Sequence, residues 1–392
     1  MVKINLNLPI DSTFLSETIY EGILFSIVNS KLQCNFNLKT VDIKPDFLSR
    51  AYEELDEKRI NDVGIRMSGN DKINIKIFEK LGLRGIESSK SYRDLITLLK
   101  AYNKNLTSKE EINLKIAATQ RNLFIDIKSK VEGLSAPQLL KVDRYTGMTS
   151  LDFEYASQQL TFYFSKEAAL IALLGIYSSF VVSIRQQQQT YYYFLFFSPD
   201  EIAYLLNEGK IKLIEKYFLV KNKTIKVLKK VIEKSPVNEL IIAEIALNLE
   251  LQQMMIEENL DKISLLLFKI SPEGQTYKIY EQIPITVFRE NMFYRIAEKY
   301  FHDPIKISKH LMAILSPNNV ILETLSTLNR VTKAQEADNL LKAVQNLYKF
   351  VTLGDLQGWF GFLREMWNAH EKRKDPEGRS KYLTLIKSLA YA

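Results

Sequence analysis

Any chemistry performed by this chain would have to come from three histidines, one cysteine and an abundant supply of carboxylates. A hydrolytic metal centre usually needs two or three histidines close together with carboxylates. Of His302, His310 and His370, only His302 has an adjacent acid, Asp303. Pro304 follows at once, so the pair has the form of a helix entrance with Asp303 as its N-cap. Cys34 stands alone, which excludes an intramolecular disulfide and every zinc site built on two or more thiolates. The chain has no phosphate loop ending in Gly-Lys-Ser/Thr, no Gly-x-Ser-x-Gly elbow and no Gly-x-Gly-x-x-Gly fingerprint. Carboxylates spaced for one helix face, in a chain that is 25% charged, are expected to be solvated surface. These residues predict a protein that binds rather than catalyses, with no cofactor and no metal.

The chemistry that is present is charge. Residues 209–234 hold nine lysines, Lys210, Lys212, Lys216, Lys221, Lys223, Lys226, Lys229, Lys230 and Lys234, against Glu215 and Glu233. That excess of seven equals the net charge of the whole 392-residue chain, so the rest is on balance neutral. On a helix, Ile211, Ile214, Phe218, Ile225, Leu228 and Ile232 fall on one side, and Lys212, Lys216, Lys223, Lys226, Lys230 and Lys234 fall opposite. A break at residues 221–224 would shorten this stripe. An outward stripe would contact phosphates without reading sequence; the same pattern also suits a solvated helix. Residues 239–261 then carry Glu239, Glu244, Glu250, Glu257, Glu258 and Asp261 and no base. The basic and acidic segments could pair within the fold or form a docking face. A second basic group, Arg121, Lys128, Lys130, Lys141 and Arg144, lies on or beside expected strands, and a third, Lys372, Arg373, Lys374, Arg379 and Lys381, lies near the C-terminus. Trp359, Phe362, Leu363, Met366 and Trp367 have the spacing of a buried helix face.

The elements that must position these groups follow from periodicity. Strand-like runs at 3–8, 39–43, 72–78 and 123–128 alternate with helical patterns such as 92–102. A turn at Ser68-Gly69-Asn70-Asp71 precedes the third run, and a group of short strands is expected between residues 139 and 164. Residues 191–197 are apolar on both faces, which predicts a central strand, after a polar loop at 186–189. Ser198-Pro199-Asp200-Glu201 predicts a helix start, and helices are expected to about residue 260. Runs at 263–270 and 277–281 flank Ser271-Pro272-Glu273-Gly274, a hairpin loop that returns the chain to the sheet. Beyond residue 291 helical periods dominate, with starts at Asp303-Pro304, Ser316-Pro317 and Asp375-Pro376. The expectation is an α+β protein, with a mixed or antiparallel sheet and helices in its N-terminal part, followed by a C-terminal helical bundle. Residues 1–288 form the α+β domain, including a helical segment at about 198–262, and residues 289–392 the helical domain. The opening residues alternate as a strand and lack a signal-peptide pattern. The uncharged stretch 168–184 contains Ser178, Ser179 and Ser183 and reads as a buried helix rather than a membrane span. A single cysteine suits the reducing cytoplasm, and the wealth of Lys, Glu, Ile and Tyr leans towards a thermophile.

At residues 138–155, QLLKVDRYTGMTSLDFEY, and at 190–206, TYYYFLFFSPDEIAYLL, the chain resembles the large subunit of archaeal type I-A CRISPR interference (Cascade) complexes. The resemblance covers chiefly the middle of the chain. It implies a non-catalytic subunit near the 5′ end of the guide RNA that senses a short motif (PAM) flanking the target DNA and helps open the duplex. Its implied partners are CRISPR guide RNA, target DNA, the other subunits of the complex, and separate helicase and nuclease subunits, with no membrane. Lys141, Asp143, Arg144, Tyr145 and Gly147 match the family segment best; Lys141 and Arg144 are the choices for phosphate contact, and Gly147 for a tight turn. With Lys128, Lys130, Lys212, Lys216, Lys223, Lys226 and Lys230 they form the expected nucleic-acid-binding set. Some related subtypes carry Cys-x-x-Cys zinc motifs, which a chain with Cys34 alone cannot build. The rival expectation is a protein-only scaffold that docks through apposed basic and acidic helices.

Overall fold

A computed structural model describes residues 1–68, 89–118, 122–129, 133–145, 161–186, 188–234, 236–274, 276–290, 292–315, 320–325 and 334–390. By contact the chain divides into two compact units, residues 1–218 with 264–284, and residues 219–263 with 285–392. The helical residues 219–257, placed from the sequence in the α+β domain, therefore group with the C-terminal helices.

The first unit begins β1 (Val2–Leu6), α1 (Phe14–Asn29), β2 (Asn35–Phe36), β3 (Thr40–Ile43), α2 (Phe47–Glu53), α3 (Glu57–Asp62), α4 (Tyr92–Ala101) and β4 (Glu111–Leu114). Its first sheet has the order β2-β3-β1-β4, with β1 antiparallel to β3 and parallel to β4. A second sheet, β5 (Ile116–Ala118), β6 (Asn122–Ile125), β7 (Leu134–Ser135) and β8 (Thr161–Phe164), runs β5-β6-β8-β7 with a parallel β6–β8 pair. After β8 come α5 (Lys166–Ser179), β9 (Phe180–Gln186), β10 (Gln189–Phe197) and α6 (Pro199–Glu208). The hairpin β11 (Lys262–Glu273) and β12 (Thr276–Phe288) completes a third sheet, β12-β11-β10-β9. The α+β class, with mixed and antiparallel sheets, is as the periodicity predicts, and β10 is central, antiparallel to both β9 and β11.

Local signals placed several of these elements. Thr13, Ser165 and Ser198 each accept a backbone N–H at the first turn of α1, α5 and α6. Ser91 and Asp94 form a complete capping box at the start of α4. Helices α1 and α5 are apolar nearly all round, and such helices bury every face. They cross at two glycines. A Cβ on Gly22 would stand 2.0 Å from the carbonyl oxygen of Ile171, and one on Gly175 would stand 1.9 Å from that of Thr18. The glycine hydrogens fill that space and direct weak C–H···O contacts across the crossing. Phe14 of α1 meets Phe194, Phe196 and Phe268 edge-on, with ring centroids 5.1–5.6 Å apart, and so seats the helix on the third sheet. At the far end of α5, Arg59 donates to the carbonyls of Ser178 and Phe180, where a cation complements the helix C-terminus.

Helix α7 (Ile211–Ile232) carries residues of both units, and the second unit contains α8 (Asn238–Leu247), α9 (Leu249–Glu257), α10 (Met292–Tyr300), α11 (Pro304–Ile314), α12 (Val320–Leu325), α13 (Ala334–Tyr348), α14 (Leu356–Lys372) and α15 (Pro376–Ala390). Asp303 caps α11, accepting the Lys306 N–H at 2.8 Å, as expected of the His302-Asp303-Pro304 run. A buried carboxylate organises part of this unit. Glu336 accepts from Tyr382 Oη at 2.8 Å, Arg373 Nη1 at 3.2 Å and Thr324 Oγ1 at 3.3 Å.

Some expectations are corrected. Residues 138–145 form a 3-10 helix, not strands, and residues 138–142 are buried without a break rather than at alternate positions. The uncharged stretch 168–184 is not one helix: α5 ends at Ser179 and β9 starts at the next residue, where Phe180 joins the third sheet opposite Phe194. The run at 72–78, the turn at 69–71, Gly147 and Ser316-Pro317 lie outside the described residues. Among the described residues no helix is long and apolar enough to cross a membrane.

Replacing either glycine of the crossing by alanine forces two backbones apart, an overpacking cost of about 3 kcal/mol. Gly22→Ala and Gly175→Ala are each expected to lower the thermal midpoint by roughly 4 °C for a chain of 392 residues. An unchanged midpoint in circular dichroism would remove the close crossing as a structural determinant.

Candidate nucleic-acid interface

The lysine-rich segment folds as a single helix. No break occurs at 221–224: Thr224 donates its hydroxyl to the Val220 carbonyl at 2.9 Å and is buried within α7. The apolar face is as expected, with Ile214, Phe218, Ile225, Leu228 and Ile232 all buried. The opposite face is not uniformly cationic surface. Lys212, Lys226 and Lys230 are exposed and make no ion pair among the described residues. Lys223 is half-buried and ion-paired with Glu250 of α9. Lys216 and Lys229 are half-buried, and these two, with the fully buried Lys221, have interactions of their own within the protein. Lys210 pairs with Glu208 at 2.8 Å. The expected continuous stripe is thus corrected: Lys212, Lys226 and Lys230 stay outward, while Lys216 and Lys223 are half-buried and engaged within the protein.

The acidic segment meets these lysines at one defined point. The hydrogen bond from Lys223, followed by its positive charge, holds the Glu250 carboxyl below its usual range, and the Lys230 charge adds to this. Asp261 pairs with Arg289 at 3.4 Å, Glu257 accepts from Gln253 Nε2 at 3.0 Å, and Glu239 accepts from Gln345 Nε2 at 3.2 Å. Part of the segment's charge is therefore spent inside the second unit. Beside the Lys223–Glu250 pair the second unit opens a groove of about 960 Å³, lined by the exposed Ile256 and Ile305 and by Arg289, Arg295, Glu257 and Glu298. Its two signs of charge nearly balance, a lining suited to a protein segment of mixed charge rather than to a polyanion.

The other expected positions scatter. Lys141 is only 5% exposed and donates to Ser135 Oγ at 3.1 Å, so phosphate contact at this residue is corrected: its ammonium is enclosed by the 3-10 helix and β7. Lys128 is exposed just after β6 and already has an interaction within the protein. Lys130 and the Arg144 side chain lie outside the described residues. In the C-terminal group, Arg373 is buried against Glu336, Arg379 Nε donates to the Arg373 carbonyl at 2.7 Å, and Lys381 pairs with Glu377 at 3.0 Å. That group serves mainly to close α14 against α15. Trp359, Phe362 and Met366 are core, whereas Trp367 is 45% exposed and donates Nε1–H to Glu371 at 3.1 Å. Burial pushes the Cys34 thiol up to about 11, which keeps it protonated and unreactive at neutral pH. Among the described residues no three His, Cys, Asp or Glu side chains come together as a metal site. The sequence reading missed Arg289, Arg295 and Glu298, whose convergence depends on residues far from α9 in the chain and leaves no local signal.

Burial also pushes the Glu244 carboxyl up to about 7, opposed by the Lys234 ammonium. The unfolded chain releases this proton near 4.5, so between 4.5 and 7 the folded state holds more protons and stability falls as pH rises. The loss is complete above the folded value. Glu244→Gln is expected to be about 3 kcal/mol more stable than the parent at pH 8 and equal to it near pH 4 in urea unfolding; equal stability at both pH values would refute the buried-acid assignment.

No family model matches the chain, and no solved structure matches it. It is 53% identical over 397 residues to an uncharacterized protein of Archaeoglobus fulgidus, a match that covers 100% of both chains. The chain belongs to the same protein family as that archaeal relative.

Proposed function

We propose that the chain is a non-catalytic subunit that holds nucleic acid within an RNA-guided interference complex, as the large subunit of the type I-A CRISPR kind. In this role it contributes to guide RNA and target DNA binding, to recognition of the flanking motif and to duplex opening. Strand cleavage belongs to the helicase and nuclease subunits that join it. One observation carries the reading: Lys212, Lys226 and Lys230 are exposed on one long helix and make no ion pair among the described residues. Lys226 and Lys230 stand one turn apart, about 6 Å along the axis. Such groups neutralise phosphates and release counterions without selecting bases. The resemblance at residues 138–155 and 190–206 supplies the specific complex. A second reading, a protein-only scaffold, is favoured by the mixed-charge groove beside Glu250.

Purification from native cells separates the two. The first reading expects a short discrete RNA and several smaller proteins with the chain; the scaffold reading expects protein partners that survive nuclease treatment and no RNA. Duplex binding by the purified chain should weaken with salt. Lys212→Gln, Lys226→Gln and Lys230→Gln together are expected to reduce the steepness of log affinity against log salt by up to about 2.7, at roughly 0.9 for each lost phosphate contact. A slope unchanged by the triple substitution would remove the helix from the interface.

A further inference from the structure

A second groove lies in the first unit, about 600 Å³ in volume, between residues 63–67 and the start of α4. Arg66, Lys90 and Arg93 line it, and Asp94 is the single carboxylate among its described lining residues. The two chain segments are tied by an antiparallel bridge, Arg66 to Ser91, with the Met67 N–H donating to the Lys90 carbonyl at 3.1 Å and the Tyr92 N–H to the Ile65 carbonyl at 3.0 Å. Two buried tyrosines of the third sheet fix Arg66 from behind. Tyr192 Oη accepts its N–H at 3.4 Å, and Tyr277 Oη donates to its carbonyl at 3.2 Å. The Arg66 guanidinium is therefore carried on an anchored backbone while the side chain stays exposed.

The balance of charge is decided by what Asp94 already does. Its Oδ2 accepts the N–H groups of Lys90 at 2.9 Å and Ser91 at 3.1 Å, completing the capping box, and Arg93 Nε lies 3.6 Å from its Oδ1. Arg66 and Lys90 make no ion pair among the described residues, and both are exposed. Among the described residues the groove thus holds two uncommitted cations and no uncommitted acid, with the apolar side chain of Met67 beside them. A guanidinium offers a planar fork to a phosphate and an ammonium a point charge, and a cavity in the size range of whole ligands has room for more than a lone phosphate ion.

We infer that this groove binds a phosphodiester backbone, with Arg66 and Lys90 each contacting one phosphate and Arg93 flanking them. The inference rests on the reading of the chain as a nucleic-acid-holding subunit, and adds to it a site separate from α7. The test uses the full chain and fluorescence anisotropy from 50 to 300 mM salt, with a 20-nucleotide RNA and a 20-base-pair DNA as probes. Arg66→Gln with Lys90→Gln is expected to lower the salt slope by about 1.8 for the duplex or about 1.4 for the single strand. The probe that shows the loss identifies the nucleic acid that occupies the groove. Arg66→Lys with Lys90→Arg should keep the parent slope, and so should the charge-matched pair Lys39→Gln with Lys104→Gln, which removes two exposed lysines elsewhere. If the groove variant binds both probes with the parent slope while the α7 triple variant does not, the groove is overturned and the functional reading stands. If the parent chain binds neither probe, both fall. Binding of a polyglutamate peptide as tightly as RNA, and its loss in the groove variant, would give the site to an acidic protein segment and overturn the inference.

Discussion

The first unit depends on two helices that touch through their backbones. Where α1 crosses α5, neither chain has room for a single methyl group: the carbonyls of Ile171 and Thr18 occupy the positions that a Cβ on Gly22 or Gly175 would take. That approach brings the buried faces of both helices within reach of the aromatic side of the third sheet. Phe14 can then pack among Phe194, Phe196 and Phe268. It also explains why polar groups are tolerated deep in this unit. Ser178 Oγ donates to Glu21 on the neighbouring helix, and Tyr52 Oη donates to the Leu170 carbonyl at 2.9 Å, so hydrogen bonds follow the contact that the glycines permit.

A different constraint governs the basic helix. Nine lysines within 26 residues would repel one another if all pointed to solvent, and the fold disperses them. Lys223 is neutralised by Glu250, Lys210 by Glu208, and Lys221 is carried wholly inside. The electrostatic landmark of the sequence is therefore partly a device of internal packing. What is left for a polyanion is a sparse row, which suits backbone contact of modest strength better than tight autonomous binding. On the function proposed above the chain needs no more, because neighbouring subunits would share the polyanion and hold it at high effective concentration.

The two grooves divide by charge along the same lines. Beside Glu250 the lining is balanced in charge and partly apolar. Between Arg66 and Lys90 it is cationic, and its single acid is committed to a helix cap. In each case the decisive fact is the prior engagement of a carboxylate, which composition cannot reveal. The Archaeoglobus fulgidus relative, 53% identical with both chains fully covered, makes these engaged pairs a natural object of comparison between the two proteins.

What the sequence by itself determined is what depends on neighbours within about four residues. The capping hydroxyl of Ser198, the Asp303-Pro304 entrance, the alternation of β1 and the doubly apolar β10 are all local or periodic, and each forms as expected. The buried face of α7 was legible for the same reason, since its period needs no knowledge of what covers it. Only the tertiary structure decided which lysines remain free, that residues 138–145 wind as a 3-10 helix around a buried Lys141, and that an uncharged run becomes a helix followed by a strand. Lys223 and Glu250, or Arg66 and Lys90, are separated by more than twenty residues. Coulomb energy depends on distance in space and not along the chain, so only the path of the backbone between them fixes whether such groups pair or stay open.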